Sequence, residues 1–449
     1  MKSKSTEYIL ECRRSYSLYV MRSRAIPSVT DGLKSAHRRV IWTARNGQKW
    51  KTASLAGATM PIHPHASPDE AVNTITAPYG NNIPLFKGYG AFGTLLGPKD
   101  YGASRYTSVT LSKFTEDVVL RDIEIIPMMD NYDNTLQEPQ HFLPLIPLVL
   151  LNPTEGIAIG FATNILPRSL DNIIDTQIKV LLNKKLPDDI LPSFTPLQSI
   201  SHEGEITDKG RTYYFNGAFE RINATMIKIT KIPYGQLHSK VIAKLDAEVD
   251  TGINIIDYMD NSRDVIEIVV KFKKGVLSKL EDDTILKMLN LTIKHNENMN
   301  VLDFTGQAVW TTNPINVIQH YTNWRLQWYI TRYERLRDLL LIELQKYLDI
   351  KKAIEKNVGG IARKIQSRSE LKEFLEAIGI VYIDYIADLP VYRFTEEEKR
   401  KNDEKIAEAN KQLAIYNDLL NSEQKRKDIY VQELTEILTN YKKGKYNNE

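Results

Sequence analysis

Apolar positions recur along this chain in two rhythms and one nearly unbroken run, and each predicts a different element. Between Asn316 and Val358 there is neither proline nor glycine, and Leu326, Tyr329, Tyr333, Leu336, Leu340, Tyr347 and Ile350 return at threes, fours and sevens. That spacing predicts one long helix. Gly359 and Gly360 are expected to stop it, with a small helical knot following to Pro390. Thr395-Glu-Glu-Glu398 then reads as a capping box opening a second long helix, whose seam is Ile406, Ala409, Leu413, Tyr416, Leu420, Val431, Leu434 and Leu438. Two such helices with a compact region between them predict an antiparallel coiled coil with a tip; a plain helical hairpin fits the periodicity equally well. The tail from Lys442 to Glu449 is polar and expected to fray.

The second rhythm has a period of two. Ile266, Ile268, Val270 and Phe272 alternate with Glu267, Lys271 and Lys273, and Thr225 to Ile232 alternates similarly, so residues 200 to 300 are expected to be α+β, with strands that keep one face wet. The unbroken run, Phe142 to Leu151, is interrupted only by Pro144 and Pro147. It predicts a buried strand, then a turn and a small-residue strand through Gly156-Ile157. An apolar residue such as Ile157 ordinarily belongs to a core.

At the front, Tyr8, Ile9, Cys12, Tyr16, Tyr19 and Val20 predict a helix over residues 5 to 22. Pro27 and the Asp31-Gly32 turn separate it from a second helix over about Leu33 to Arg45, and a third is expected from Pro68 to Pro78. On the second helix Leu33, Ala36, Val40 and Ala44 share one side, and Lys34, Arg38 and Arg45 another. The cationic side suits phosphates, as in helix-turn-helix modules, or is a solvated face.

Charge sharpens this picture. Residues 1 to 64 hold 12 Lys and Arg against 3 Asp and Glu, whereas the other 385 residues are slightly acidic and the whole chain carries only +3. A polyanion bound near the front explains that asymmetry; a solvated basic surface is the alternative. With 449 residues, 42% apolar and 26% charged, the chain should build several cored domains. The single cysteine, Cys12, excludes a disulfide framework and suits a reducing compartment. No run reaches the roughly 20 apolar residues a bilayer requires, and no signal core opens the chain, so a soluble, cytoplasmic protein with no membrane partner is expected.

Candidate chemistry centres on Ala91 to Lys113, where Tyr106 directly follows Arg105. A phenol has a reference pKa of about 10 and attacks poorly while protonated. A neighbouring cation favours the phenolate and neutralises charge building on a phosphate under attack. Upstream, Gly88, Gly90 and Gly93 are small enough for close backbone approach. Alone, however, an Arg-Tyr pair also fits an ordinary surface. His63-Pro-His65 lacks a nearby cysteine or third ligand, so anion binding suits it better than zinc. No glycine-rich phosphate loop, Asp-x-Asp pair or Gly-x-Ser-x-Gly elbow occurs. Neither ATP hydrolysis nor a metal centre is expected on this chain.

These motifs stand in a recognisable order. Arg24-Ala-Ile-Pro, Asp31-Gly-Leu-Lys, His37-Arg-Arg-Val, His63-Pro-His65, Gly88-Tyr-Gly-Ala-Phe-Gly and Ala103-Ser-Arg-Tyr106-Thr together resemble the breakage-reunion subunit of type IIA DNA topoisomerases, the gyrase A and topoisomerase IV A subunits. In length the chain looks most like the medium subunit of large-bacteriophage members, which would place it in a bacterial host's cytoplasm. The resemblance implies an α+β multidomain fold: a winged-helix DNA-binding domain over 1–130, an α/β tower domain over 131–312, and a long antiparallel coiled coil over 313–449. A small helical C-gate tip would occupy about 360–394. It implies that Tyr106 attacks DNA with Arg105 assisting. Arg24, Lys34, His37, Arg38, Arg39, His63 and His65 would face the phosphate backbone, and Ile157 would wedge between bases. It also implies an ATP-dependent isomerase acting on double-stranded DNA as a homodimer, joined through the winged-helix region and the coiled-coil tip. Magnesium and ATP would sit mainly on a separate subunit. One departure is visible: after His65 the chain reads Ala66-Ser-Pro-Asp-Glu-Ala-Val, longer than the bacterial Gly-Asp-Ser-Ala-Val, so no inhibitor sensitivity is inferred. The competing expectation is a non-enzymatic DNA-binding clamp or scaffold with Tyr106 buried and inert.

Overall fold

The computed structural model describes residues 4–64, 68–158, 160–207 and 210–447. The chain divides into two compact units, residues 1–323 with 431–449, and residues 324–430. The borders expected at 130 and 312 both fall inside the first unit.

The first unit opens with α1 (Lys4–Val20), which runs into a single π-turn over Met21–Ala25. Next come α2 (Ser35–Ala44), β1 (Trp50–Lys51), α3 (Thr52–Thr59), α4 (Pro68–Thr76), β2 (Phe86–Tyr89) and β3 (Ser108–Leu111). The strands form an antiparallel sheet in the order β1-β3-β2, and α2, α3 and α4 pack on one another, the layout of a winged helix. Val40, Ile41 and Ala44 of α2 are buried, as the apolar side of the wheel predicts.

The Asp31-Gly32 turn does more than separate helices. The fully buried Asp31 carboxylate accepts from the amides of Leu33 (3.1 Å) and Phe142 (3.1 Å). Gly32 has a φ of +68°, and a Cβ there would lie 2.3 Å from the Val149 nitrogen. The turn is therefore seated on the run Phe142 to Leu151. That run is buried but is not the strand expected. Pro144 and Pro147 withhold the amide donors a ladder requires, and its only regular piece is a 3-10 turn at Leu148–Leu150.

Two hairpins flank this run: β4 (Met128–Asp130) with β5 (Gln137–Pro139), and β6 (Thr154–Ala158) with β7 (Phe161–Ile165). Beyond them lie α5 (Leu170–Leu181), β8 (Ser193–Phe194), β9 (Ser199–Thr207), β10 (Gly210–Asn216), β11 (Ala218–Asn223) and β12 (Met226–Lys231). They are followed by α6 (His238–Thr251), β13 (Ile255–Asp260), β14 (Ile268–Phe272), α7 (Asp282–Met288), β15 (Thr292–Glu297), β16 (Asn300–Leu302) and β17 (Val309–Thr311). Two four-stranded antiparallel sheets result, ordered β15-β10-β9-β8 and β11-β12-β14-β13. The alternation in sequence is realised in the second: Ile227, Ile229, Ile268, Val270 and Phe272 form a core with Val241 and Leu245 of α6. A buried ion pair, Arg168 with Glu297 at 2.7 Å, joins the start of this region to β15.

Among the described residues the tail returns to this unit and does not fray as expected. Tyr446 is buried with its ring edge-on to Phe114 at 5.4 Å, and Lys445 pairs with Asp117 at 2.9 Å.

The second unit takes in most of α8 (Pro314–Glu355), then α9 (Val358–Ala362), α10 (Arg368–Ala377), α11 (Ile383–Ala387), α12 (Glu396–Asn421) and the start of α13 (Glu423–Lys442). The stop of α8 is Asn357, left-handed at φ +51°; Gly359 and Gly360 belong to α9. Half of the expected capping box forms: the Thr395 hydroxyl accepts from the Glu398 amide at 3.4 Å, while the Glu398 carboxylate pairs with Arg393 and Lys401. The second long helix is split at the extended Ser422, where Arg426 donates to the Leu419 and Leu420 carbonyls at 2.7 and 2.8 Å. Tyr333 meets Tyr416 at 5.9 Å and Asn402 donates to the Tyr347 carbonyl at 2.8 Å, so α8 and α12 run antiparallel. Ile350, Ala353, Val358, Leu375, Ile380 and Ile386 core the small helical region.

Candidate active site

Tyr106 closes a tight turn, its amide donating to the Ala103 carbonyl at 2.8 Å. The turn is pinned to the start of α3. The Ala53 amide donates to the Ser104 carbonyl and the Thr52 amide to the Thr107 carbonyl, each at 3.1 Å. The buried hydroxyls of Thr52 and Thr107 lie 2.7 Å apart. The glycine loop is stitched on by the Gly102 amide, which donates to the Ala91 carbonyl at 2.9 Å, while Gly88 leaves room for the Phe92 ring. The backbone is thus held while the side chain is not: Tyr106 is 71% exposed. The guanidinium carbon of Arg105 stands 4.7 Å from the centre of its ring. A solvent-facing phenol on a fixed backbone beside a cation can approach a phosphodiester and have the developing negative charge offset. The buried, inert tyrosine of the scaffold reading is not what the fold builds.

A second group forms around Tyr19. Its hydroxyl lies 3.1 Å from His63 Nε2, and Arg24 places its guanidinium carbon 5.7 Å from the Tyr19 ring centre. His63 also meets the Tyr132 ring at 5.6 Å. Arg24 and His63 are therefore gathered on one aromatic residue that sequence reasoning took only as part of a helix face. Arg22, which that reasoning passed over, reaches the Gln307 carbonyl at 2.8 Å. His65 lies outside the described residues.

A third group surrounds α2, and here two of the expected phosphate-facing arginines are engaged within the protein. The fork of Arg38 grips both oxygens of buried Asp31 at 2.6 and 2.9 Å. Arg39 likewise grips Glu138 at 2.6 and 3.1 Å. A helical wheel sorts residues by polarity and cannot show that carboxylates from outside the helix meet these guanidiniums. Asp31, read as a turn residue, was the one local signal. His37 is also altered. Burial, then the charges of Lys34 and Arg38, push its pKa down to about 3, so at neutral pH it offers a hydrogen bond and no charge. Lys34 donates to the Glu155 carbonyl at 2.6 Å, on the hairpin that carries Ile157. Ile157 itself is 87% exposed, the reverse of an ordinary core isoleucine.

Among the described residues no group of three or more His, Cys, Asp or Glu side chains could hold a metal ion. No helix among them is long and apolar enough to cross a membrane.

The family of DNA gyrase/topoisomerase IV A subunits matches residues 24–435. The chain belongs to that family. Among its A-type relatives, the DNA topoisomerase medium subunit of Enterobacteria phage T4 is 29% identical, over 86% of this chain and 89% of its own length. The DNA gyrase A protein of Chlamydia trachomatis serovar D is 28% identical over 96% of this chain, which spans only 55% of that longer protein. The fold of this gyrase A-type chain is shared with the DNA-binding, cleavage and re-ligation domain of Plasmodium falciparum topoisomerase II. The TM-score is 0.81 at 22% identity, covering 97% of this chain and 64% of that one.

Proposed function

We propose that this chain is the breakage-reunion subunit of an ATP-dependent type II DNA topoisomerase and that Tyr106 is its nucleophile. The Tyr106 oxygen bonds to a DNA phosphorus as the bond from phosphorus to the 3′ oxygen breaks. The phenol gives up its proton and the departing 3′ oxygen takes one up. The product is a 5′-phosphotyrosyl ester, and because one phosphoester replaces another, resealing needs no fuel. Arg105 offsets charge on the phosphorus centre. A homodimer, closed through the winged-helix region and the coiled-coil tip, cuts both strands so that a second duplex passes. Arg24 and His63 bind the backbone of the cut duplex, with His37 as a neutral donor, and Ile157 unstacks a base step to bend it. Magnesium and ATP reside on a separate subunit, and the setting is the cytoplasm, that of a bacterial host if the chain is phage-encoded.

The observation carrying this reading is the 71% exposure of Tyr106 on a pinned turn beside Arg105. The experiment is Tyr106→Phe in the complex reconstituted with an ATPase- and metal-bearing partner. Covalent DNA adducts should vanish while duplex binding stays within about twofold; adducts that persist rule out Tyr106. The chain alone should neither relax supercoils nor hydrolyse ATP.

A further inference from the structure

We infer that Lys34 is a positioning residue for the wedge: its ammonium fixes the β6–β7 hairpin that presents Ile157, rather than gripping a phosphate. This rests on the wedge role given to Ile157 above.

A wedge that unstacks bases is pushed back with equal force, so its support must be stiff. The β6–β7 hairpin has only two strands, and an isolated two-stranded hairpin is marginal in water. Its stiffness must come from anchors. On the β7 side these are asparagines: Asn298 and Asn300 both donate from Nδ2 to the Ala162 carbonyl, at 2.9 and 2.7 Å. The backbones of Asn164 and Asn298 also exchange hydrogen bonds, at 2.9 and 3.0 Å.

On the β6 side the supports come from the front of the chain. Gly156 presses against the π-turn so closely that a Cβ would lie 1.9 Å from the Ala25 oxygen. One residue earlier, Lys34 Nζ donates to the Glu155 carbonyl at 2.6 Å. This is a charge-assisted bond to the backbone, two residues from Ile157. Burial lowers the Lys34 pKa, and the Glu155 and Glu70 carboxylates oppose that shift. The lysine is thus partly withdrawn from water and committed to a carbonyl, unlike a side chain held out for a passing phosphate.

The test uses the reconstituted complex and an end-labelled duplex whose bending is read by energy transfer, for Lys34→Met, Lys34→Arg, Ile157→Ala and the Lys34→Met/Ile157→Ala double variant. Lys34→Met should lower the bent-to-straight ratio roughly tenfold, the scale of one charge-assisted hydrogen bond, and Lys34→Arg should restore most of it. On the Ile157→Ala background the same change should add less than about twofold, since both residues serve one element. The salt slope of binding should not move. Without DNA, amide exchange across residues 154–165 should quicken roughly tenfold in Lys34→Met and not in Lys34→Arg. Unchanged exchange, additive variants, or a salt slope reduced by about one phosphate each overturn the inference while leaving the wedge intact. If Ile157→Ala bends DNA normally, the wedge reading falls and takes this inference with it.

Discussion

The surroundings of Arg38 and those of Tyr106 belong to one winged helix, yet the fold treats them oppositely. Around α2, charge is turned inward: Arg38 closes on Asp31 and Arg39 on Glu138, and Asp31 also ties down the amide of Phe142. At the turn before β3 the backbone is tied down and the side chain is released. The hairpin of Ile157 follows the second plan. The contrast teaches that a run of motifs mixes two kinds of residue. Some are left exposed, as the proposed chemistry needs, and others hold the frame that lets an exposed group stay where it is put. Removing a residue of the first kind should cost activity and no stability, and removing one of the second kind should cost stability first.

The sharpest way to break this comparison is Arg38→Ala. It leaves the Asp31 carboxylate buried without its counter-ion, and denaturant unfolding should show a loss of about 3–5 kcal/mol. A variant that stays as stable but binds DNA with a reduced salt slope would return Arg38 to the phosphate contacts. Next is Tyr446→Ala, which empties the site against Phe114 and should cost about 3 kcal/mol. A truly frayed tail would give no change.

His37 supplies a pH-dependent effect that is smaller over any single pH unit. Its folded pKa of about 3 lies below the ordinary histidine value, so the unfolded chain takes up a proton that the folded chain refuses. The stability it supports is whole above about pH 6.5 and declines as pH falls towards 3, by about 1.4 kcal/mol per pH unit. His37→Asn should flatten that decline; an unaltered stability profile between those limits would show that the imidazole is solvated and chargeable. Smallest of all, Tyr106→Phe and Ile157→Ala should shift unfolding free energy by less than about 0.5 kcal/mol. A large loss in either would move it from the first kind of residue to the second.

Much of this was legible beforehand. The long helices, the Thr395 cap and the strands around Ile229 and Val270 follow from periodicity and local hydrogen bonding, which are properties of neighbours in sequence. The order of the motifs points to Tyr106 and Arg105, and the fold leaves Tyr106 exposed beside Arg105. The misreadings share one cause. Phe142 to Leu151 is apolar enough for a strand, but its prolines and its seat under Asp31 make it a packed loop. The glycines after α8 look like a stop, but Asn357 turns the chain first. The tail is polar, yet one tyrosine is enough to dock it.

Residue order alone determined the long helices and the alternating strands around Ile229 and Val270, where cations concentrate, and which tyrosine stands beside an arginine. Only the tertiary structure decided which of those cations are spent inside the fold and which apolar side chain is left in water. Periodicity reports a residue's relation to its own element. Burial of a charge depends on whether an opposite charge arrives from elsewhere, as Glu138 does to Arg39 across 99 residues of chain. Desolvation makes that choice stringent, because a buried guanidinium without its carboxylate costs several kcal/mol.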